Sequence, residues 1–246
     1  MRYLVGIDDT DNLYTRGTGY RGRMLGRELA QVGFAKVFGI SRHQLFFDPR
    51  VPYTSHNSSL CLDVETDRYD YLKQYCSAFL ARESAPGSDA GLCIASFENV
   101  SDRVVRWGYR AKSELVTQAE AWQIAGDENL YLAGFTGNYD GVIGSLAAVG
   151  LRYAADDGRF VWMAGKDFRQ LSGKCSVGEL MKLIPVDGVA DESLVTLSKS
   201  TEIDLDGWLR PVLKNGKKLV LIEKYNCDGS VNYKCAGKEL IRKVSN

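Results

Sequence analysis

Three aspartates stand close together near the start of the chain and suggest metal chemistry. Asp8, Asp9 and Asp11 follow a short apolar run at residues 3–7, with Thr10 between them. Carboxylates at this spacing repel one another, and a hard divalent cation relieves the repulsion, since Mg²⁺ takes one or two carboxylates with waters and substrate phosphate oxygens. A solvated turn in which aspartate caps backbone amides explains the same residues without a metal. We favour the first interpretation, in which the three aspartates are metal ligands and catalytic residues and Thr10 lies in the loop that binds ATP.

A glycine-rich segment follows the aspartates and suggests phosphate binding. Gly17, Thr18 and Gly19 lie just before a predicted helix. Glycines allow the backbone to approach a phosphate closely, and the start of a helix presents N–H groups that have no helical partner. The GxxxxGK[ST] spacing of a P-loop is absent. Because one phosphate chain could contact both this segment and the aspartates, we predict that these three residues bind the nucleotide.

Two further segments carry weaker signals. A polar cluster at residues 52–59 contains His56, which could donate to a phosphate or transfer a proton, although a histidine in a loop is more often structural or exposed. A glycine-rich turn at residues 137–141 leads into a helix of small residues at 142–150. Small residues let either a ligand or another backbone approach closely, so helix packing explains this segment equally well.

The periodicity of apolar residues predicts the elements that would position these segments. Strands alternate with helices up to residue 150, which predicts an α/β domain, and turn signals beyond it predict an α+β region of mainly antiparallel strands. Strands are predicted at residues 3–7, 36–47, 59–64 and 91–97, helices at 24–32, 69–80, 101–125 and 142–149, and hairpin turns at 156–158 (between strands 151–154 and 159–164), 215–216 and 228–229.

Composition excludes several classes of protein. The chain of 246 residues has zero net charge, and no apolar run approaches the roughly 20 residues that span a bilayer. Its start does not resemble a signal peptide, so we expect a cytoplasmic protein without a membrane partner. The six cysteines form no CxxC pair, which favours free thiols over disulfides or zinc.

The charge is unevenly distributed along the chain. Residues 207–246 contain nine Lys or Arg and three Asp or Glu, which leaves a charge of +6. A basic segment of this kind suits nucleic acid, and it equally suits a solvated surface. No pattern in the sequence specifies an oligomeric state.

Three segments in this order resemble the tRNA 2-agmatinylcytidine synthetase family, whose members act on an isoleucine tRNA. They are the acidic motif at residues 6–11, the polar cluster at 52–57 and the glycine-alanine helix at 141–150, and the similarity extends to about residue 225. The resemblance implies an α/β N-terminal domain, kinase-like and binding ATP and Mg²⁺, at residues 1–135. It also implies an α+β ferredoxin-like second domain at residues 136–246.

In that family ATP activates the wobble cytidine of the tRNA for attachment of agmatine. The resemblance therefore implies that the three aspartates hold Mg²⁺ and the ATP phosphates, with Thr18, His56 and Asn57 near the same site. Two features depart from the family. Gly17-Thr18-Gly19 stands where members usually carry Cys-Thr-Thr, and full-length members continue into an OB domain and a zinc ribbon that grip the tRNA, whereas this sequence ends without a CxxC.

We therefore expect an ATP- and Mg²⁺-dependent, ligase-type or kinase-like enzyme of tRNA modification, which activates an acceptor oxygen by phosphoryl or adenylyl-type transfer. One alternative is a small-molecule kinase or ligase, which the neutral charge and the missing family domains favour. Another is a tRNA-binding or regulatory module without turnover. Binding of tRNA through residues 207–246 is expected to be weak, because the basic surface is small.

Overall fold

A computed structural model describes the protein over residues 1–51, 54, 56–227 and 230–246. The chain forms two compact units, Met1–Ala154 and Ala155–Asn246. Three residues of the predicted polar cluster, Pro52, Tyr53 and Ser55, lie outside the described residues, as does the predicted turn at residues 228–229.

The elements of the first unit follow the predicted pattern closely. Each strand and helix predicted up to residue 150 is confirmed, although the first helix begins at Thr18 rather than at residue 24 and the helix expected at 101–125 is divided in two. Thr117 divides it, because its side chain and that of Glu120 form a capping box that starts a new helix. The strand expected at 151–154 is the end of a helix, and the strand at Tyr131–Gly134 was not predicted. The elements are β1 (Arg2–Asp8), α1 (Thr18–Val32), β2 (Lys36–Gln44), β3 (Ser58–Glu65), α2 (Tyr69–Glu83), β4 (Gly91–Ser96), α3 (Asp102–Ser113), α4 (Gln118–Asp127), β5 (Tyr131–Gly134) and α5 (Gly141–Ala154).

The five strands that the structure describes in this unit pair in the order β5-β4-β1-β3-β2, and each neighbouring pair is antiparallel. The mixed α/β class is therefore confirmed. The described residues between β2 and β3 form no helix, and β3 returns antiparallel to β2 and inserts beside β1. The first six elements thus have the β-α-β-β-α-β order of a split βαβ sheet, with β1 at its centre.

Helix α5 lies directly on the sheet. A Cβ added to Gly6 of β1 would overlap the carbonyl oxygen of Ser145, and one added to Gly91 of β4 would overlap the backbone of Gly141. The small residues of this segment are thus accounted for by close packing of helix on strand. Since α5 belongs to the core of the first unit, that unit extends to Ala154, whereas the sequence analysis ended the first domain at residue 135.

The second unit combines short strands with two helices in its described residues. Strand β11 pairs antiparallel with β10 and β12 and parallel with β8, and β12 also pairs parallel with β9. A mixed architecture is confirmed, whereas the ferredoxin-like arrangement expected for residues 136–246 is not. The elements are β6 (Arg159–Met163), β7 (Lys174–Ser176), α6 (Val177–Leu183), β8 (Gly188–Ala190), β9 (Glu202–Asp204), β10 (Val212–Lys214), β11 (Lys217–Cys227), β12 (Ser230–Cys235) and α7 (Lys238–Ser245).

The predicted hairpin turns have different outcomes. The turn between β10 and β11 is confirmed, with Asn215 at φ 51° and Gly216 at φ 71°, the conformation that a type I′ turn requires. The hairpin predicted around residues 156–158 is wrong, because α5 continues to Ala154 and leaves no strand on that side. No helix in the described part of the chain is long and apolar enough to cross a membrane.

Candidate functional site

The acidic loop follows the central strand and is fixed by backbone hydrogen bonds. Asp8 ends β1 and pairs with Gly91 of β4, and Asp9 adopts a left-handed conformation with φ 50°. The carbonyl oxygens of Asp9 and Thr10 accept hydrogen bonds from the N–H groups of Asp89 (3.2 Å) and Ala85 (2.9 Å). The segment before β4 therefore holds the loop in place.

Asp11 caps the start of helix α1. Its Oδ1 accepts hydrogen bonds from the N–H and the hydroxyl of Thr18, both at 2.7 Å, and its Oδ2 accepts one from the hydroxyl of Thr54 at 2.8 Å. Buried Thr10 joins this network, since its hydroxyl and N–H contact the Thr18 hydroxyl at 3.1 and 3.2 Å. Both carboxylate oxygens of Asp11 thus have protein partners, as expected for an aspartate that caps a turn.

Asp8 faces the first turn of α5. A Cβ added to Gly144 would overlap its Oδ2, so glycine at this position leaves room for the carboxylate. Burial raises the pKa of Asp8 well above its ordinary value, and the charges of Asp9 and Asp11 raise it further, whereas Arg42 of β2 lowers it. An ionised Asp8 is therefore costly in the metal-free protein.

Asp9 experiences a larger set of negative charges than the sequence indicates. Burial is the main cause that raises its pKa, to about 7, and the carboxylates of Asp89, Asp11 and Asp140 add to the effect. Asp89 precedes β4 and Asp140 precedes α5. The sequence analysis named neither as a candidate. Asp140 lies in the predicted glycine-rich turn, whereas only the fold brings Asp89 to the loop.

The turn before α5 is built around Asp89. Its carboxylate accepts a hydrogen bond from the N–H of Asn138 at 2.7 Å, and its carbonyl oxygen accepts one from the N–H of Gly141 at 2.8 Å. Gly137 has φ 57°, and a Cβ there would overlap the Asp89 carboxylate. Glycine at 137 is therefore required by both its conformation and the available space.

The donor set suits a magnesium ion held by two aspartates better than one held by three. Among the described residues, no group of three or more His, Cys, Asp or Glu side chains is arranged to hold a metal ion. Asp8 and Asp9 are crowded carboxylates with raised pKa values, and one or two carboxylates suffice for Mg²⁺ when water and substrate phosphate supply the other oxygens. Asp11, already bonded to Thr18 and Thr54, serves to fix the loop.

The predicted phosphate segment starts α1 but presents few free donors. Gly17 is the N-cap residue of α1 and has no side chain to cap it. The N–H of Thr18 donates to Asp11, and that of Tyr20 donates to the carbonyl oxygen of Gly17 at 2.8 Å. Thr18 therefore organises the loop, and Gly17 and Gly19 beside it leave the backbone open to a phosphate.

The loop before β3 approaches the aspartates through Thr54, a residue that the sequence analysis did not single out within its polar cluster. Asn57 has a structural role, because its side-chain amide donates to the carbonyl oxygen of Phe46 at 2.7 Å and its own carbonyl accepts from Leu45 at 2.9 Å. His56 is exposed. The structure thus brings Asp8, Asp9, Thr10, Asp11 and Thr18 together, and assigns Asn57 to closing the loop.

The fold and this acidic loop define a mixed α/β protein with a carboxylate site at the end of its central strand, and solved structures share that fold. No protein-family model and no curated protein matches the chain. A tRNA fluorescent labeling enzyme matches with a TM-score of 0.55 and 25% identity, over 61% of this chain and 36% of that one.

Structures of TiaS, an agmatidine synthetase that acts on an isoleucine tRNA, match as well. The apo form has a TM-score of 0.53 and 24% identity over 61% of this chain and 35% of that one. The complex with that tRNA and ATP has a TM-score of 0.55 and 24% identity over 61% and 36%. The resemblance to the tRNA 2-agmatinylcytidine synthetases is thus confirmed for part of the chain, which spans about a third of the length of these proteins.

Proposed function

We propose that this chain takes part in tRNA modification as an ATP- and Mg²⁺-dependent enzyme that activates an acceptor oxygen by phosphoryl or adenylyl-type transfer. The observation that carries the proposal is the crowded pair of carboxylates, Asp8 and Asp9, at the end of the central strand. Support comes from the likeness to TiaS, whose solved structures include complexes of its isoleucine tRNA with ATP and of the same tRNA with AMPCPP and agmatine.

In this proposal Asp8 and Asp9 hold Mg²⁺, which when bound neutralises the charge that develops on a transferring phosphoryl group. Asp11 is a positioning residue, because it fixes the loop to α1 through Thr18. The glycines at 17 and 19 leave the backbone open to phosphate oxygens. The participation of His56, the kinase-like character of residues 1–135 and the cytoplasmic location remain predictions.

Asp8→Asn tests this assignment, because it removes one charge and keeps the shape of the side chain. Calorimetric titration with ATP in Mg²⁺ is expected to give an affinity lower by at least about tenfold. Losing a residue that only orients a metal ligand costs about that much, and losing a ligand itself should cost at least as much. The folded state should be retained, since the substitution relieves repulsion. The matched control is Asp67→Asn, which neutralises an exposed carboxylate in the loop before α2.

Equal ATP affinities for the wild type and Asp8→Asn would exclude the metal site at this loop. Turnover of ATP that does not depend on tRNA would favour a small-molecule kinase or ligase. Binding of tRNA without any ATP turnover would favour a binding or regulatory module. The last two outcomes therefore each select one of the two alternatives that the sequence allowed.

A further inference from the structure

Ion pairs divide the basic segment at residues 207–246 into two groups of cations. Lys214, Lys218 and Lys224 have carboxylate partners in the same unit, Asp156 at 3.0 Å, Asp187 at 3.9 Å and Asp191 at 3.3 Å respectively. Within the described part of the chain, Lys234 and Lys238 form no ion pair with a carboxylate. Lys234 and Lys238 are therefore among the cations of this segment whose charge can serve a ligand.

The two faces of strand β11 separate Lys218 and Lys224 from Lys234. Val220 and Ile222 belong to one apolar cluster, whereas Leu219 and Leu221 belong to another, which includes Ile241 of α7. Side chains alternate between the faces of a strand, so Tyr225 lies on the same face as Leu219 and Leu221, which we call the α7 face. Lys224 lies on the opposite face. Lys234 of β12 is the cross-strand partner of Glu223 of β11 and so shares the α7 face.

Two aromatic rings on the α7 face have cations beside them. Half-buried Trp208 packs against the cluster that includes α7. The guanidinium of Arg210 lies 5.4 Å from its ring centre, and the ammonium of Lys238 lies at 6.0 Å. The ammonium of Lys234 lies 5.9 Å from the ring of Tyr225. These distances are within the range of cation–π attraction.

A hydrogen bond joins the two ring–cation groups. Oε1 of Glu223 accepts from the N–H of Gly237 at 3.0 Å, and Gly237 is the N-cap residue of α7, next to Lys238. Glu223 is also the cross-strand partner of Lys234. The group on the β11–β12 hairpin, Tyr225 with Lys234, and the group beside α7, Trp208 with its two cations, are therefore neighbours on one face. We name these five residues the ring–cation strip. The strip consists of Trp208, Arg210, Tyr225, Lys234 and Lys238.

We propose that the ring–cation strip binds a single-stranded segment of RNA. Bases would stack on Trp208 and Tyr225, while Arg210, Lys234 and Lys238 contact the phosphates between them. Aromatic rings interleaved with cations are the combination that holds single-stranded nucleic acid without reading its sequence. The inference rests on the proposed function in taking RNA as the partner, and it assigns RNA binding to a surface outside the aspartate site.

The test compares two double variants of equal charge. Lys234→Gln/Lys238→Gln alters the strip, whereas Lys218→Gln/Lys224→Gln removes the same charge from the opposite face. Anisotropy titrations of a labelled single-stranded oligouridylate over a salt series are expected to show about tenfold weaker binding for the strip variant. Its salt slope should fall by about 1.4, because each lost phosphate contact lowers the slope by about 0.7. The control variant should stay within about twofold of the wild type, since screening limits the reach of a distant charge.

Replacement of the ring provides a second readout. Trp208→Ala is expected to weaken binding by about tenfold through lost stacking, and Trp208→Phe, which keeps an aromatic ring and most of the packing, by about two- to fivefold. Equal losses in the strip and control variants, or no RNA binding by the wild type at low salt, would overturn the proposal. ATP affinity should be unchanged in the strip variants, so failure of the strip is distinguishable from failure of the ATP site.

Discussion

Replacing Asp9 by Asn should stabilise the metal-free protein at alkaline pH and stabilise it much less at acidic pH. In the folded protein, burial and the neighbouring carboxylates raise the pKa of Asp9 from 3.8 to about 7. Asn keeps the shape of a protonated Asp and tolerates the left-handed backbone, here at φ 50°. The substitution therefore removes the ionisation with little change in geometry.

The direction follows from proton binding. Between the two pKa values the folded protein keeps the proton on Asp9 while the unfolded chain has released it, so the free energy of unfolding falls as pH rises through this window. A difference of about three in pKa corresponds to about 4 kcal/mol. Because the Asp9 side chain is partly exposed, screening by solvent reduces this, and we expect about 2 kcal/mol.

The assay is urea denaturation in the presence of a chelator at about pH 4.5 and about pH 8, followed by circular dichroism. The variant should be more stable than the wild type by about 2 kcal/mol at the higher pH and by only about 0.5 kcal/mol at the lower pH, where about a quarter of the effect has developed. Asp67→Asn, at an exposed position, should show no such pH-dependent gain. A difference between Asp9→Asn and the wild type that is the same at both pH values, or that has the opposite sign, would refute the crowding of these carboxylates.

Two further substitutions test a buried ion pair of the first unit and the packing of α5 against the site. Asp63 is buried on β3 and bonds Arg2 and Arg152 at 2.7 and 2.6 Å. Asp63→Asn should therefore lower the free energy of unfolding by about 3–5 kcal/mol, as removal of one member of a buried ion pair does, and a urea midpoint equal to that of the wild type would contradict this. Gly144→Ala should displace the Asp8 carboxylate and weaken ATP binding measured by calorimetry. Gly126→Ala, where a Cβ meets no atom within 4 Å, should leave ATP binding intact and stabilise α4 by up to about 1 kcal/mol.

The local elements could be predicted because their signals are local. The apolar run before the aspartates predicts β1, and Gly33 ends α1 in the left-handed conformation, with φ 77°, as its position indicates. Strand pairing is different. Nothing in the spacing of β2 and β3 shows that β3 will insert beside β1, since that choice depends on contacts between distant segments.

The site shows the same division between local and distant information. The position of Asp8 and Asp9 at a strand end could be predicted from the neighbouring residues, whereas Asp89 reaches Asp9 only through the pairing of β1 with β4. The role of Asp11 was one of two interpretations, and its contacts with Thr18 and Thr54 support capping. The basic segment likewise divides into two groups of cations only when the acids of residues 156–191 are placed beside it.

Consumption of ATP in the presence of tRNA decides whether this chain has the proposed activity. Wild-type protein, Asp8→Asn and Asp67→Asn would be incubated with ATP and bulk tRNA in Mg²⁺ or in chelator, and the released phosphate or AMP would be measured by chromatography. We predict turnover that requires both Mg²⁺ and tRNA, is lost in Asp8→Asn and persists in Asp67→Asn. Turnover by Asp8→Asn at the wild-type rate, or turnover by the wild type in chelator, would contradict a magnesium-dependent site at the end of β1.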